Sequence, residues 1–152
     1  MIEYRVMTIE DYDGVYHVWD SSPEMSINTT DDSREGIAKF IRRNPETSFV
    51  ALDGEKVVGV ILAGHDGRRG NIEHMTVLPE YRKQRIAATL VDRCLEAMDR
   101  EGIAKVFLLA YKLNTGANAF WESVGFDLRE DLNYRNKTIR ELEYRPNPFR
   151  NE

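Results

Sequence analysis

The 152-residue chain is long enough for one domain with a real core, and its 41% hydrophobic and 31% charged residues are those of an ordinary soluble globule. A formal charge of −5 argues against wholesale nucleic-acid binding. A single cysteine, Cys94, rules out an internal disulfide, and no run approaches the ~18 apolar residues of a membrane span, so a cytoplasmic protein with no membrane partner is expected.

Ile2, Tyr4 and Val6 alternate with polar residues, which predicts a short half-buried strand. Thr8 has the character of an N-cap, with Glu10 and Asp11 bringing negative charge to the first turn of a helix that ends near Asp20. SSPEMSINTT is a loop by composition and longer than most connections. Asp32 and Glu35 have capping-box spacing, so a second helix is predicted from Ser33 to Arg43. Asp31 and Asp32 could hold a cationic group, but as N-caps they need no such role, and capping is the preferred reading.

Ser48–Leu52 and Lys56–Ala63 are predicted strands joined by an Asp53-Gly54 hairpin turn. The run from Ile72 to Leu78 is a further strand, stopped by Pro79, which has no N–H to give to a ladder. Arg82, Lys83 and Arg85 crowd into the following turn. From Ile86 the period changes to that of a helix, with Ile86, Leu90, Val91, Cys94, Leu95 and Met98 on one face and Gly102 as its stop. Cys94 is thereby a packed thiol rather than a nucleophile. The first turn of a helix has N–H groups without internal partners and a partial positive charge. Basic side chains placed there make a site for a phosphate or pyrophosphate.

Lys105–Tyr111 is a continuous apolar run, as expected of a strand buried on both faces. Asn114–Val124 is a short helix capped by Asn114 and ended by Gly125. Phe126 to Tyr134 and Thr138–Tyr144 are predicted to form a final antiparallel pair. The domain should span 1–145, with a loose polar tail at 146–152. Helices separating strands in the second half imply some parallel pairing within a mixed sheet.

That order, with these residues, resembles the GNAT superfamily of acyl-CoA-dependent N-acetyltransferases. The densest part is VLPEYRKQRIAATLV, which is similar to the family's coenzyme A loop, Gln/Arg-x-x-Gly-x-Gly/Ala, with Arg82 at its opening and Ala87 at its close. Arg85 stands where the family usually has its middle glycine, a position where glycine lets the backbone approach the pyrophosphate. NTGANAFWESVGF resembles the family's later Asn…Ala…Tyr…Gly-Phe segment. The implied fold is α/β (α+β): a mixed, mostly antiparallel twisted sheet of six to seven strands flanked by about four helices.

The resemblance also implies an activity: transfer of an acetyl group from acetyl-CoA, as cosubstrate and without a metal, to a primary amine of a small molecule or peptide, by direct attack in a ternary complex. It assigns coenzyme A to Met75 and Val77 on the strand, to Arg82, Lys83, Gln84, Arg85, Ile86, Ala87 and Ala88 at the loop and helix start, and to Asn114 and Trp121. Glu73 matches the strand glutamate that several members use as base, directly or through a water. A backbone N–H around Met75 to Val77 would meet the oxyanion. If the strand alternates simply, Ile72, His74 and Thr76 share one face and Glu73, Met75 and Val77 the other, which makes His74 structural. Trp121 replaces the tyrosine that returns a proton to the thiolate in many members; an indole N–H is too weak an acid. Tyr111 or Tyr134 could serve instead, water could, or the thiolate could leave unprotonated.

A non-catalytic acyl-CoA-binding module is the alternative reading, resting on Arg85 and Trp121. A nucleotide binder of another fold is disfavoured, since neither GxGxxG nor GxxxxGK[ST] occurs. A homodimer through the final strands is compatible with such a chain.

Overall fold

The structure, a computed structural model, describes residues 1–150. Five strands form one sheet in sequential order: β1 (Ile2–Val6), β2 (Phe49–Asp53), β3 (Lys56–His65), β4 (Gly70–Val77) and β5 (Val106–Leu108). All neighbours are antiparallel except β4 and β5, which are parallel. Four helices flank it: α1 (Tyr12–Asp20), α2 (Arg34–Arg43), α3 (Ile86–Arg100) and α4 (Thr115–Ser123). Among the described residues no helix is long and apolar enough to cross a membrane.

The centre of the sheet is apolar on both faces. From Val57 to Ala63 every residue of β3 is buried, with α1 and α3 packed against the strand. Helix α3 buries Ile86, Leu90, Val91, Cys94, Ala97 and Met98, and burial of a side chain the size of Leu90 contributes about 1.5–3 kcal/mol. Its first turns lie so close to β3 that a Cβ on Gly59 would meet Ile86 Cγ2 at 3.2 Å and Leu90 Cδ1 at 3.2 Å. The start of α3 is thereby keyed to the middle of the sheet.

Several sequence expectations are corrected. The cap of α2 is Ser33, whose Oγ accepts from Gly36 N at 3.0 Å, and not Asp32, whose carboxylate is engaged elsewhere. The run Lys105–Tyr111 yields only a three-residue strand, and Phe107 and Leu109 are exposed, because no strand covers the far side of β5. The predicted final pair does not form: residues 126–144 contain no strand, only an isolated bridge between Tyr144 and Asn28. The sheet therefore has five strands rather than six or seven. Apolar alternation makes a segment fit for a ladder but does not supply the partner. Of the tail predicted to be loose at 146–152, the described part is tied at Asn147, which donates to Glu24 O, just after Arg145, which donates to Ser22 O and Met25 O; residues 151–152 lie outside the described residues.

Candidate active site

Strands β4 and β5 pair only from Gly70 to Ile72 against Val106 to Leu108. Beyond Ile72 they part, and one edge of β4, Glu73 to Val77, has no strand partner. The cause is visible in the β3–β4 register: Leu62 faces His74 and Ala63 faces Ile72, so Glu73 is the extra residue of a bulge. The simple alternation predicted for this strand is overturned there. Ile72 is buried and Glu73 exposed, while both Glu73 and His74 border a groove of about 1830 Å³ that fills the gap between the parted strands.

At one end of the groove lies the basic turn. A tight helical turn at Pro79–Tyr81 follows β4, tied down by the Tyr81 hydroxyl, which donates to Asp53 at 2.5 Å. Arg82 Nε donates to Val77 O at 3.3 Å, and the terminal nitrogens of its guanidinium have no bond within the described residues. Lys83 and Arg85 have no carboxylate partner among the described residues, and both are held at positive φ, 64° and 63°. For residues with a Cβ that conformation is strained by about 1–2 kcal/mol each. Arg85 thus takes the left-handed shape that glycine readily provides. Arg85 is also the N-cap of α3 and caps nothing with its side chain. The amides of Ile86, Ala87 and Ala88 point out of the helix start without acceptors, the first α-helical bond being Thr89 N to Arg85 O at 3.0 Å. The residues present fit a pyrophosphate: three cations and a run of free N–H groups.

Where β4 parts from β5, Glu73, Asp31 and Asp32 border the groove, with Lys39 and Arg43 of α2 also on its wall. Glu73 accepts from Asn71 Nδ2 at 2.6 Å. Desolvation by the groove walls pushes its carboxyl above the usual range; His74 pulls it back, and Asp32 and Asp31 reinforce the rise. His74 Nε2 lies 2.8 Å from Asp32 Oδ1, and both side chains are largely buried. Asp32 is itself fixed by Asn28 N at 2.9 Å, and Trp19 packs edge-on against the His74 ring with centroids 5.0 Å apart. Sequence reasoning missed this pair. Asp32 looked like a cap, and nothing in the chain's periodicity links it to a strand forty residues on.

The groove collects nearly all the residues singled out from sequence: Glu73, Met75, Val77, Arg82, Lys83, Arg85, Ile86, Ala87, Ala88, Tyr111, Asn114, Trp121 and Tyr134. Gln84 does not line it. Asn114 Oδ1 is spent on capping α4, accepting from Ala117 N at 3.1 Å, which leaves its amide nitrogen for another partner. Trp121 packs edge-on between Phe120 and Phe126, at 5.1 and 5.2 Å. Cys94 lies outside the site, with burial pushing its thiol up to about 12.

Residues 12–126 match the model of the acetyltransferase (GNAT) family. The chain belongs to that family. It is an acetyltransferase, similar to an acetyltransferase of Pectobacterium atrosepticum at 22% identity over 94% of this chain and the whole of the relative. Among solved structures it is similar to the PaiA N-acetyltransferase of Thermoplasma acidophilum in complex with coenzyme A, with TM-score 0.74, 20% identity, and 85% of this chain and 91% of that one covered. It is also similar to an aminoglycoside acetyltransferase from an uncultured soil metagenomic sample in complex with sisomicin, with TM-score 0.74, 19% identity, and 91% and 97% covered.

Proposed function

We propose that the protein transfers the acetyl group of acetyl-CoA to the primary amine of a cationic acceptor by direct attack, with both substrates bound in the one groove. The observation that carries this reading is the polarity of the groove. A basic, strained turn opens α3 past the Val77 end of the unpaired edge of β4, and Glu73 stands at the other end, with Asp31 and Asp32 also bordering the groove.

Arg82, Lys83, Arg85 and the amides of Ile86 to Ala88 hold the pyrophosphate. The amide nitrogen of Asn114 and the face of Trp121 hold the pantetheine arm, whose thioester supplies the acetyl group. The carboxylates of Glu73, Asp31 and Asp32 attract the ammonium form of the acceptor. Glu73 takes one proton from it, directly or through a water, and its raised pKa narrows the gap to an alkyl amine near 10.4. The freed nitrogen attacks the carbonyl carbon, and a backbone N–H of Met75 to Val77 meets the oxygen as charge develops on it. As the C–S bond breaks, the nitrogen gives its second proton to solvent water, and the sulfur leaves as thiolate or takes a proton from Tyr111 or Tyr134. Of the two, Tyr111 is the better held, because its carbonyl accepts from Asn114 N and Asn118 Nδ2 while Tyr134 is exposed. The acceptor is a small-molecule primary amine or an exposed peptide amine.

The test is Glu73→Gln, with turnover followed by thiol release and acetyl-CoA binding measured separately. A loss of roughly 10²–10⁴ in kcat/KM with binding unchanged is expected. In the parent enzyme the acid limb of kcat/KM should fall above the ordinary glutamate range, because Glu73 must be ionised to act and its pKa is raised. Unchanged turnover in the variant would remove Glu73 from the mechanism and leave His74 as the base.

A further inference from the structure

An alkylammonium loses two protons from its nitrogen on becoming an amide, and one carboxylate such as Glu73 can hold only one of them. A second group able to accept a proton borders the same groove: the imidazole of His74, with Asp32 behind it. The bulge delivers both. In a regular strand consecutive side chains point to opposite faces, but the extra residue re-aims β4, so that Glu73 and His74 both reach the groove.

The bonds of the loop between α1 and α2 converge on Asp32. Its Oδ2 accepts from Asn28 N at 2.9 Å, and its carbonyl accepts from the Tyr12 hydroxyl at 2.7 Å. Asn28 is itself held, its Oδ1 accepting from Thr30 N and Asp31 N. Asp32 Oδ1 faces His74 Nε2 at 2.8 Å, with the two side chains only 5% and 13% exposed. A carboxylate only accepts, so the hydrogen of this contact sits on Nε2. The other ring nitrogen, Nδ1, is left with a bare lone pair. It has no hydrogen-bond partner among the described residues, and it is not sealed in the interior. A tie between loop and strand needs only a donor on β4. Here the donor belongs to a ring whose second nitrogen is thereby fixed as an acceptor.

We propose that His74 is the second proton acceptor of the reaction and that Asp32 is a positioning residue that sets its tautomer. After attack, the nitrogen is bonded to the carbonyl carbon and positively charged. As it gives its second proton to the water, that water passes one of its own to Nδ1. The C–S bond breaks with its electron pair going to sulfur, and Asp32 holds the imidazolium until it returns the proton to solvent. No further reactant is required. The inference rests on amine acetylation in this groove and is indifferent to the identity of the acceptor.

The decisive variant is Asp32→Asn, because the loop orients the new amide. Asn28 N still calls for an acceptor, so the side-chain oxygen stays there and the NH₂ faces Nε2, which must then accept. The ring proton moves to Nδ1 and closes it. Both bonds persist, so coenzyme A affinity and Tm should stay close to the parent's while kcat falls about 10²-fold; a mere anchor would leave kcat alone. Histidine ¹⁵N resonances, assigned by the set lost in His74→Gln, should show Nε2–H in the parent and Nδ1–H in Asp32→Asn. His74→Gln, whose amide still donates to Asp32 but takes no proton, should lose kcat to a similar extent. A kcat near the parent's in His74→Gln, or in Asp32→Asn with the tautomer reversed, would overturn the proposal, as would a parent His74 protonated at Nδ1 alone. A parent that acetylates no amine would instead refute the reading of the groove, and this inference with it.

Discussion

Arg85→Gly isolates the strain held in the turn before α3. Arg85 has φ 63° and ψ 18°, which costs a residue with a Cβ about 1–2 kcal/mol. Glycine removes that cost but gains freedom in the unfolded chain, worth about 0.5–1 kcal/mol in the opposite direction. The net expectation is a ligand-free protein more stable by about 0.5–1 kcal/mol, or a rise in Tm of about 1–4 °C for a chain of this length. Arg85→Ala is the control. Alanine loses the same guanidinium yet keeps the Cβ, so it should gain nothing, and the difference between the two variants is the strain itself. Urea unfolding at equilibrium supplies the free energies. Coenzyme A binding tests the proposed role of the turn: if Arg85 faces the phosphates as proposed, both variants should bind more weakly, and more so at low salt. If Gly and Ala prove equally stable, Arg85 is not strained in the folded protein, and the left-handed turn does not favour glycine there.

Asp11 accepts from both terminal nitrogens of Arg5 at 2.8 Å and from Thr8 N at 2.9 Å. Burial alone would raise its pKa, but those bonds outweigh it and hold the carboxyl below the usual range. Asp11→Asn should lose about 1–2 kcal/mol at neutral pH, the Arg5 part being discounted because that guanidinium is half exposed. A depressed folded pKa means that this stability is complete above the ordinary aspartate value of about 3.9 and fades as pH falls through the lower folded value. The difference between parent and variant should therefore shrink in acid, as chemical denaturation across pH would register. A Cβ on Gly36 would drive into the carbonyl oxygens of Thr30 and Asp31, so Gly36→Ala should displace the loop holding Asp31 and Asp32. Its signature is a raised KM for the acceptor with coenzyme A affinity unchanged, alongside a loss of about 1–3 kcal/mol. Cys94, with its thiol near 12, should resist iodoacetamide in the native protein at neutral pH and react only on unfolding, which intact mass detects.

What could be read from the chain follows from which forces are local. The strand, basic turn and helix from Ile72 to Arg100 were legible because hydrophobic period, Pro79 and the clustered cations all act within a few residues. Helix α4 and its Asn114 cap were legible for the same reason. The bulge at Glu73 was not, since it depends on the register against β3, and strict alternation placed Glu73 and His74 on opposite faces. The His74–Asp32 pair was hidden because only the folding of the α1–α2 loop onto β4 brings the two together. The stretch from Phe126 to Tyr144 was misjudged in another way. Its pattern describes a strand as a tendency, but pairing is a property of two segments, and here neither the other predicted strand nor β5 joins it in a ladder.

The buried core closes with Ile103, and everything that walls the far side of the groove comes later in the chain. Synthesis proceeds from the N-terminus at about 5–20 residues per second. A growing chain therefore holds its complete core, including the basic turn and α3, for a few seconds before the residues that finish the site leave the ribosome. Over that interval the basic turn and the Glu73 edge of β4 are in place before the far wall of the groove, where Asn114 and Trp121 stand, has been made. A chain stalled just past Ile103 should accordingly resist proteolysis over its core while showing no acetyl transfer.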